Sequence, residues 1–139
     1  MSSIDLNSTY MMLFDIDNFK TINDTYGHET GDKVLVKLVN VIKKNFRDDD
    51  YICRIGGDEF VVLMVHSAQV GQKLIARKIE SINKDLDETN DGLPTTSISV
   101  GIIHGTDALS ADELYKKVDT AMYQSKQKGK STYTFYKDN

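Results

Sequence analysis

The chain has one cysteine, one proline and no apolar run long enough to cross a bilayer. A single cysteine, Cys53, excludes an internal disulfide and a cysteine-based zinc site. Within Tyr51-Ile52-Cys53 it reads as a small packed hydrophobe rather than a nucleophile. A membrane helix needs about 18 or more consecutive apolar residues. The N-terminus shows no basic-then-apolar secretion pattern either, so this segment is expected to be soluble and cytoplasmic, without membrane contact. Excess positive charge is lacking too: 17 basic residues face 21 acidic ones, for a net charge of −4. That balance disfavours a surface that coats nucleic-acid polymers. It leaves open a metal-assisted nucleotide site, where a cation offsets the phosphates. No repeat, low-complexity tract or linker interrupts the 139 residues, so 1–139 reads as one globular domain with chain enough for a core.

What the chain does have is Arg54-Ile55-Gly56-Gly57-Asp58-Glu59-Phe60, set between Tyr51-Ile52-Cys53 and Phe60-Val61-Val62-Leu63-Met64-Val65. Two strands joined by a Gly-Gly turn are the expected hairpin, with positive φ at the glycines. Asp58 and Glu59 then start a strand, where carboxylates are disfavoured. A solvated hairpin tip is the plain reading. Asp15 and Asp17 close a second apolar run, Tyr10-Met11-Met12-Leu13-Phe14, so two strand ends present carboxylates of the kind hard divalent cations choose.

Taken in order, a polar start leads to a buried strand over 10–16 and a short helix over 18–26 that stops at Gly27. A longer helix over 32–46 follows, with Leu35, Leu38, Val39, Ile42 and Phe46 on one face. After the hairpin, a helix over 68–88 carries the stripe Val70, Leu74, Ile75, Ile79, Ile82 and Leu86. Asn90 to Pro94 is a loop, and 97–103 a strand with Ile98, Val100 and Ile102 on one face. Ser110-Ala111-Asp112-Glu113 is a capping box opening a helix to Gly129, and 132–136 is a closing strand. The order β-αα-ββ-α-β-α-β predicts an α+β fold whose mainly antiparallel sheet holds the ferredoxin-like split β-α-β-β-α-β motif. That topology sets the third strand beside the first and brings Asp15 to Asp58 and Glu59.

The residues after Asp15 supply what a nucleotide needs. Asn18, Phe19 and Lys20 start a helix whose free N–H groups suit a phosphate, and Lys20 adds charge, although a lone lysine is usually solvated. Asp32 is able to accept from N1–H and the 2-amino group of guanine, with Asn23 complementing another edge. Adenine would leave that carboxylate unpaired. Asp32 also suits a helix N-cap, and the two roles do not exclude each other.

Arg54 to Phe60 resembles the signature of the GGDEF family of diguanylate cyclases. Phe14-Asp15-Ile16-Asp17-Asn18-Phe19-Lys20, Ile22-Asn23-Asp24-Thr25-Tyr26-Gly27-His28 and Gly31-Asp32 resemble its first block, and Tyr123 to Lys130 its tail motif. The resemblance implies a cyclase-type palm that condenses two GTP into cyclic di-GMP with release of two pyrophosphates, the half-sites facing each other across a homodimer. It implies Mg²⁺, or Mn²⁺, on Asp15, the Ile16 carbonyl, Asp58 and Glu59. Asp58 would take the hydroxyl proton, and Lys20 would steady developing charge. Asn23 and Asp32 would read guanine, Phe19 and His28 would line the substrate site, and Lys126 and Lys130 would reach the β and γ phosphates. The family tail usually ends Gly-Arg-Asn. Gly129-Lys130-Ser131 keeps the charge without the bidentate fork. Arg47 and Asp50, five residues ahead of the Gly-Gly pair, match the inhibitory product site, although such a charge run also suits a solvated turn. No residues before Tyr10 match the family's usual N-terminal helix, so either a fragment of a longer sensor protein or an under-covered, association-prone sheet face is expected. The alternative reading is a catalytically silent receptor for GTP or cyclic di-GMP.

Overall fold

The computed structural model describes residues 6–65, 71–88, 90–108 and 110–137. Its centre is β1 (Tyr10–Ile16), which is apolar on both faces because both faces are covered. α1 (Phe19–Tyr26) and α2 (His28–Asn45) follow, then β2 (Tyr51–Arg54), β3 (Glu59–Met64), α3 (Gln72–Asp87), β4 (Ile98–His104), α4 (Ala111–Gln127) and β5 (Tyr133–Phe135). The sheet order is β2-β3-β1-β4-β5. β1 runs antiparallel to β3 and β4, β2 antiparallel to β3, and β5 parallel to β4. This is the expected α+β fold, with β3 beside β1 and β5 added at one edge.

Strand alternation divides the core in two. Met12, Phe14 and Ile16 join Phe60, Val62, Ile98, Val100 and Ile102 beneath α2 and α3. Leu13, Val61 and Ile103 face the other way, against Leu114, Val118 and Met122 of α4. Gly101 fixes how near α4 comes. A Cβ there would lie 2.3 Å from the Val118 carbonyl oxygen and 2.4 Å from the Met122 nitrogen, so helix and strand meet backbone to backbone. Lys126 follows Met122 by one helical turn and is thereby held over the end of β1.

Several expectations need correction. α2 starts at His28 rather than Asp32, because Gly27, at φ 93°, ends α1 and serves as the N-cap. Asp32 therefore lies inside the helix and caps nothing. Phe46 is buried but extended, one residue beyond the helix, edge-on to Phe14 at 6.3 Å between ring centroids. Neither Gly56 nor Gly57 has positive φ; the loop from Ile55 to Asp58 is longer than a two-residue turn and leaves both glycines unforced. Cys53 is exposed, because β2 is the edge strand of the sheet. Leu74 is 45% exposed, off the stripe made by Ile75, Ile79, Ile82 and Leu86. The positions Ala68 and Val70 lie outside the described residues.

Candidate functional site: a lysine-bridged carboxylate cluster

Antiparallel pairing of β1 with β3 sets Asp15 directly opposite Glu59, and the Ile16 N–H donates to the Asp58 carbonyl at 3.1 Å. The hairpin tip and the end of β1 thus meet as the topology requires. Asp15 Oδ2 accepts from Lys126 Nζ at 2.7 Å, while Asp15 Oδ1 is buried without a partner. Burial pushes the Asp15 carboxyl up to about 6; the Lys126 contact pulls it down, and Asp58 beside it pushes it further up. Burial, then the charges of Asp58 and Asp119, raises Glu59. Lys126 is pulled down by burial, but its contacts with Asp15 and Asp17 outweigh this and leave it raised. The ammonium is the charge that makes the crowded carboxylates tolerable.

Asp17 behaves otherwise. Its side chain is 3% exposed and takes Ser97 Oγ at 2.6 Å, Ser99 Oγ at 2.5 Å and the Ser131 N–H at 2.9 Å, with Lys126 Nζ at 3.5 Å. It is an internal anchor and presents no carboxylate to solvent. Arg54, whose guanidinium donates to the Gly56 and Gly57 carbonyls at 3.0 and 2.8 Å, clasps the tip of the hairpin.

The remaining expected residues surround this cluster unevenly. Phe19 packs on the larger core cluster, and Lys20 is exposed one residue further into α1. Asn23 fills the space above Gly31, where a Cβ would collide with its Oδ1, so α1 and α2 are held close. His28 and Asp32 are exposed on α2. Lys130 Nζ donates to Asn18 Oδ1 at 2.7 Å, which brings a second cation to the start of α1. Arg47 and Asp50 form a separate exposed turn, in which the Arg47 N–H donates to Asp50 Oδ2 at 3.0 Å and the guanidinium lies 3.3 Å from Asp49.

Sequence reasoning missed the anchoring role of Asp17 and the presence of Asp119 and Tyr115 beside Glu59. Burial, then the charges of Glu59 and Asp119, raises the Tyr115 hydroxyl, so α4 lines the cluster with these residues as well as Lys126. The helical spacing of 115, 119, 122 and 126 carried that signal.

Among the described residues, no three His, Cys, Asp or Glu side chains close into a ready metal cage. The donor set nonetheless fits a hard cation that completes its shell with water and substrate phosphates, as Mg²⁺ does. The orphaned Asp15 Oδ1, close to Asp58, is the oxygen such an ion would use. No helix among the described residues is long and apolar enough to span a membrane.

The described geometry has solved counterparts. The GGDEF domain of YfiN from Pseudomonas aeruginosa superposes with a TM-score of 0.84 at 31% identity, covering 94% of this chain and 83% of that one. The GGDEF domain of DgcB from Caulobacter crescentus, solved in complex with c-di-GMP, gives a TM-score of 0.74 at 25% identity, over 91% of this chain and 77% of that one. Among curated proteins, diguanylate cyclase DgcM of Escherichia coli K12 is 38% identical over 122 residues, 87% of this chain and 29% of that protein. The chain likewise spans 28% and 42% of two further relatives. The family model described as "Diguanylate cyclase, GGDEF domain" matches residues 3–132. That match runs from before β1 through α4 and takes in both arms of the carboxylate cluster, so the chain belongs to the GGDEF family of diguanylate cyclase domains.

Proposed function

We propose that this domain is a metal-dependent diguanylate cyclase, condensing two GTP into cyclic di-GMP with release of two pyrophosphates. The observation that carries the reading is the buried, unpartnered Asp15 Oδ1 beside Asp58, with Lys126 as the only ammonium on Asp15 among the described contacts. Asp15, Asp58, Glu59 and the Ile16 carbonyl would hold Mg²⁺, or Mn²⁺ in its place. The ion supplies Lewis-acid stabilisation of charge on the α-phosphate and leaving group.

Each domain then binds one GTP. Asn23 and Asp32 read the guanine edge, while Phe19 and His28 line the site. Lys20, Lys126 and Lys130 face the triphosphate, and the free N–H groups at the start of α1 add a positive end to the same place. Asp58 accepts the proton of the attacking 3′-hydroxyl. The α-phosphate under attack belongs to the GTP of the facing domain, so turnover requires a homodimer and rises with protein concentration. The exposed Arg47 to Asp50 turn holds the product, with the guanidinium pairing guanine edges and phosphates.

The test is incubation with GTP and Mg²⁺ at high protein concentration, resolving products by chromatography, for the parent and Asp58→Asn. Cyclic di-GMP from the parent alone, with both proteins folded, is the expected result. An Asp58→Asn variant working at the parental rate refutes the assignment of base and metal ligand. A parent that binds GTP without turnover is a receptor.

A further inference from the structure

The buried carboxylate of Asp17 and the turn after α4 are joined in a way that the reaction outlined above leaves unused. Gly129, Lys130 and Ser131 all have positive φ, at 116°, 68° and 50°. For the lysine and serine this is strained backbone, and it persists only where the surroundings impose it. Three contacts do so. The Lys130 N–H reaches the Ser125 carbonyl at 3.2 Å, the Ser131 N–H reaches Asp17 Oδ2 at 2.9 Å, and Lys130 Nζ reaches Asn18 Oδ1 at 2.7 Å. The carboxylate doing the holding is itself fixed from behind by Ser97 and Ser99, whose hydroxyls donate to separate oxygens. Its Oδ1 also faces Lys126 Nζ at 3.5 Å.

One buried anion thus touches the ammonium of one cation and the backbone that aims the other. From this geometry we infer that Asp17 is a positioning residue for phosphate recognition: it holds Lys126 and the Lys130-bearing turn in place for a nucleotide triphosphate without contacting the nucleotide. The inference rests on the proposed nucleotide site and adds a residue to it. Lys126 has two anionic partners, and the longer contact is to the residue that is locked. If a cation or phosphate draws Lys126 from Asp15, Asp17 keeps the ammonium local, so that less conformational entropy is lost when phosphate binds. Lys130 depends on the same carboxylate, because the Ser131 N–H bond to Asp17 is one of the three contacts that hold the left-handed backbone turning it toward Asn18.

A merely structural anchor and a positioning residue differ in a double-mutant cycle. Binding of α,β-methylene GTP, which cannot release pyrophosphate, is measured by calorimetry for the parent, Asp17→Asn, Lys126→Met with Lys130→Met, and the combined variant. Thermal melts of all four run in parallel. Asp17→Asn is expected to lose about tenfold in affinity when both lysines are present and less than about twofold when both are gone. An equal loss in the two backgrounds, or no loss in either, overturns the inference. If Asp17→Asn does not fold, Ser99→Ala removes the 2.5 Å donor and keeps the charge. A loss confined to the lysine-bearing background supports the role; unchanged affinity, or a loss in both, overturns it. A parent that binds no GTP analogue refutes the nucleotide site itself and this inference with it. A parent that binds while its Asp17 variants show no background dependence refutes the inference alone.

Discussion

Gly101→Ala is the substitution through which the packing of the domain is most directly read at its candidate site. The added Cβ would fall 2.3 Å from the Val118 carbonyl oxygen, 2.4 Å from the Met122 nitrogen and 3.0 Å from the Met122 Cα. All three atoms belong to backbone, so no side chain is free to rotate away. Restoring ordinary contact requires α4 to lift by about 1 Å, and overpacking of this kind costs about 1–3 kcal/mol. For a domain of this size the melting temperature should fall by about 4–12 °C. Lys126 lies on the displaced helix, and its 2.7 Å contact with Asp15 would open with it. A misplacement near 1 Å is enough for about a hundredfold loss of turnover. The assay pairs a thermal melt with cyclic di-GMP formation, and Gly71→Ala is the control, because a Cβ there meets nothing within 4 Å. A Gly101→Ala protein that melts and turns over like the parent would show that α4 is not seated by Gly101 and would remove the packing account of where Lys126 sits.

Asp32→Ala should relax the preference for GTP over ATP more than it weakens binding of triphosphate, measured by competition of the two nucleotides; an unchanged preference removes Asp32 as the guanine reader. Arg47→Ala should abolish calorimetric binding of cyclic di-GMP while GTP binding stays intact, because the strand Tyr51–Arg54, about 13 Å long, lies between the turn and the hairpin tip that carries Asp58. Unchanged product affinity would leave an ordinary solvated turn there. The metal-free domain should lose stability as pH rises from 3.8 to about 6, the interval over which Asp15 is raised, and level off above it. In that window the unfolded chain has already released a proton that the native carboxyl still holds, so each increment of pH favours unfolding. Melts of Asp15→Asn across pH 4–7 should lack that component, and an identical pH profile in the two proteins refutes the assignment.

Strand and helix order were legible because β1 is apolar on both faces and Ile98, Val100 and Ile102 alternate, patterns that only a covered central sheet explains. Once the order was known, the meeting of Asp15 with Asp58 and Glu59 followed from topology alone. Exposure at the edge was not legible. Cys53 and Leu74 sit in sequence patterns identical to buried ones, and only the position of β2 at the sheet margin and the lateral placement of α3 decide their burial. Asp32 suits an N-cap and so marks the wrong start for α2, which Gly27 caps, while Gly31 inside the helix is the gap that admits Asn23. Asp17 was misread for a similar reason. Its partners, Ser97, Ser99 and Ser131, come from distant segments, and no local signal distinguishes a tethered carboxylate from an open one.

The central position of β1 also governs when the molecule is completed during synthesis. Its first partner in the growing chain, β3, pairs Met64 with Tyr10, and its second, β4, pairs His104 with the same residue. The strand made first therefore waits for both neighbours, and Lys126, the counter-ion of Asp15, arrives later still. At about 5–20 residues per second, roughly 6–20 s separate the emergence of the two partners of that ion pair. Through this interval the nascent chain carries its signature hairpin but has no cation against the buried aspartate. A translation product that stops before α4 therefore holds four of the five described strands and lacks Lys126, the partner of Asp15.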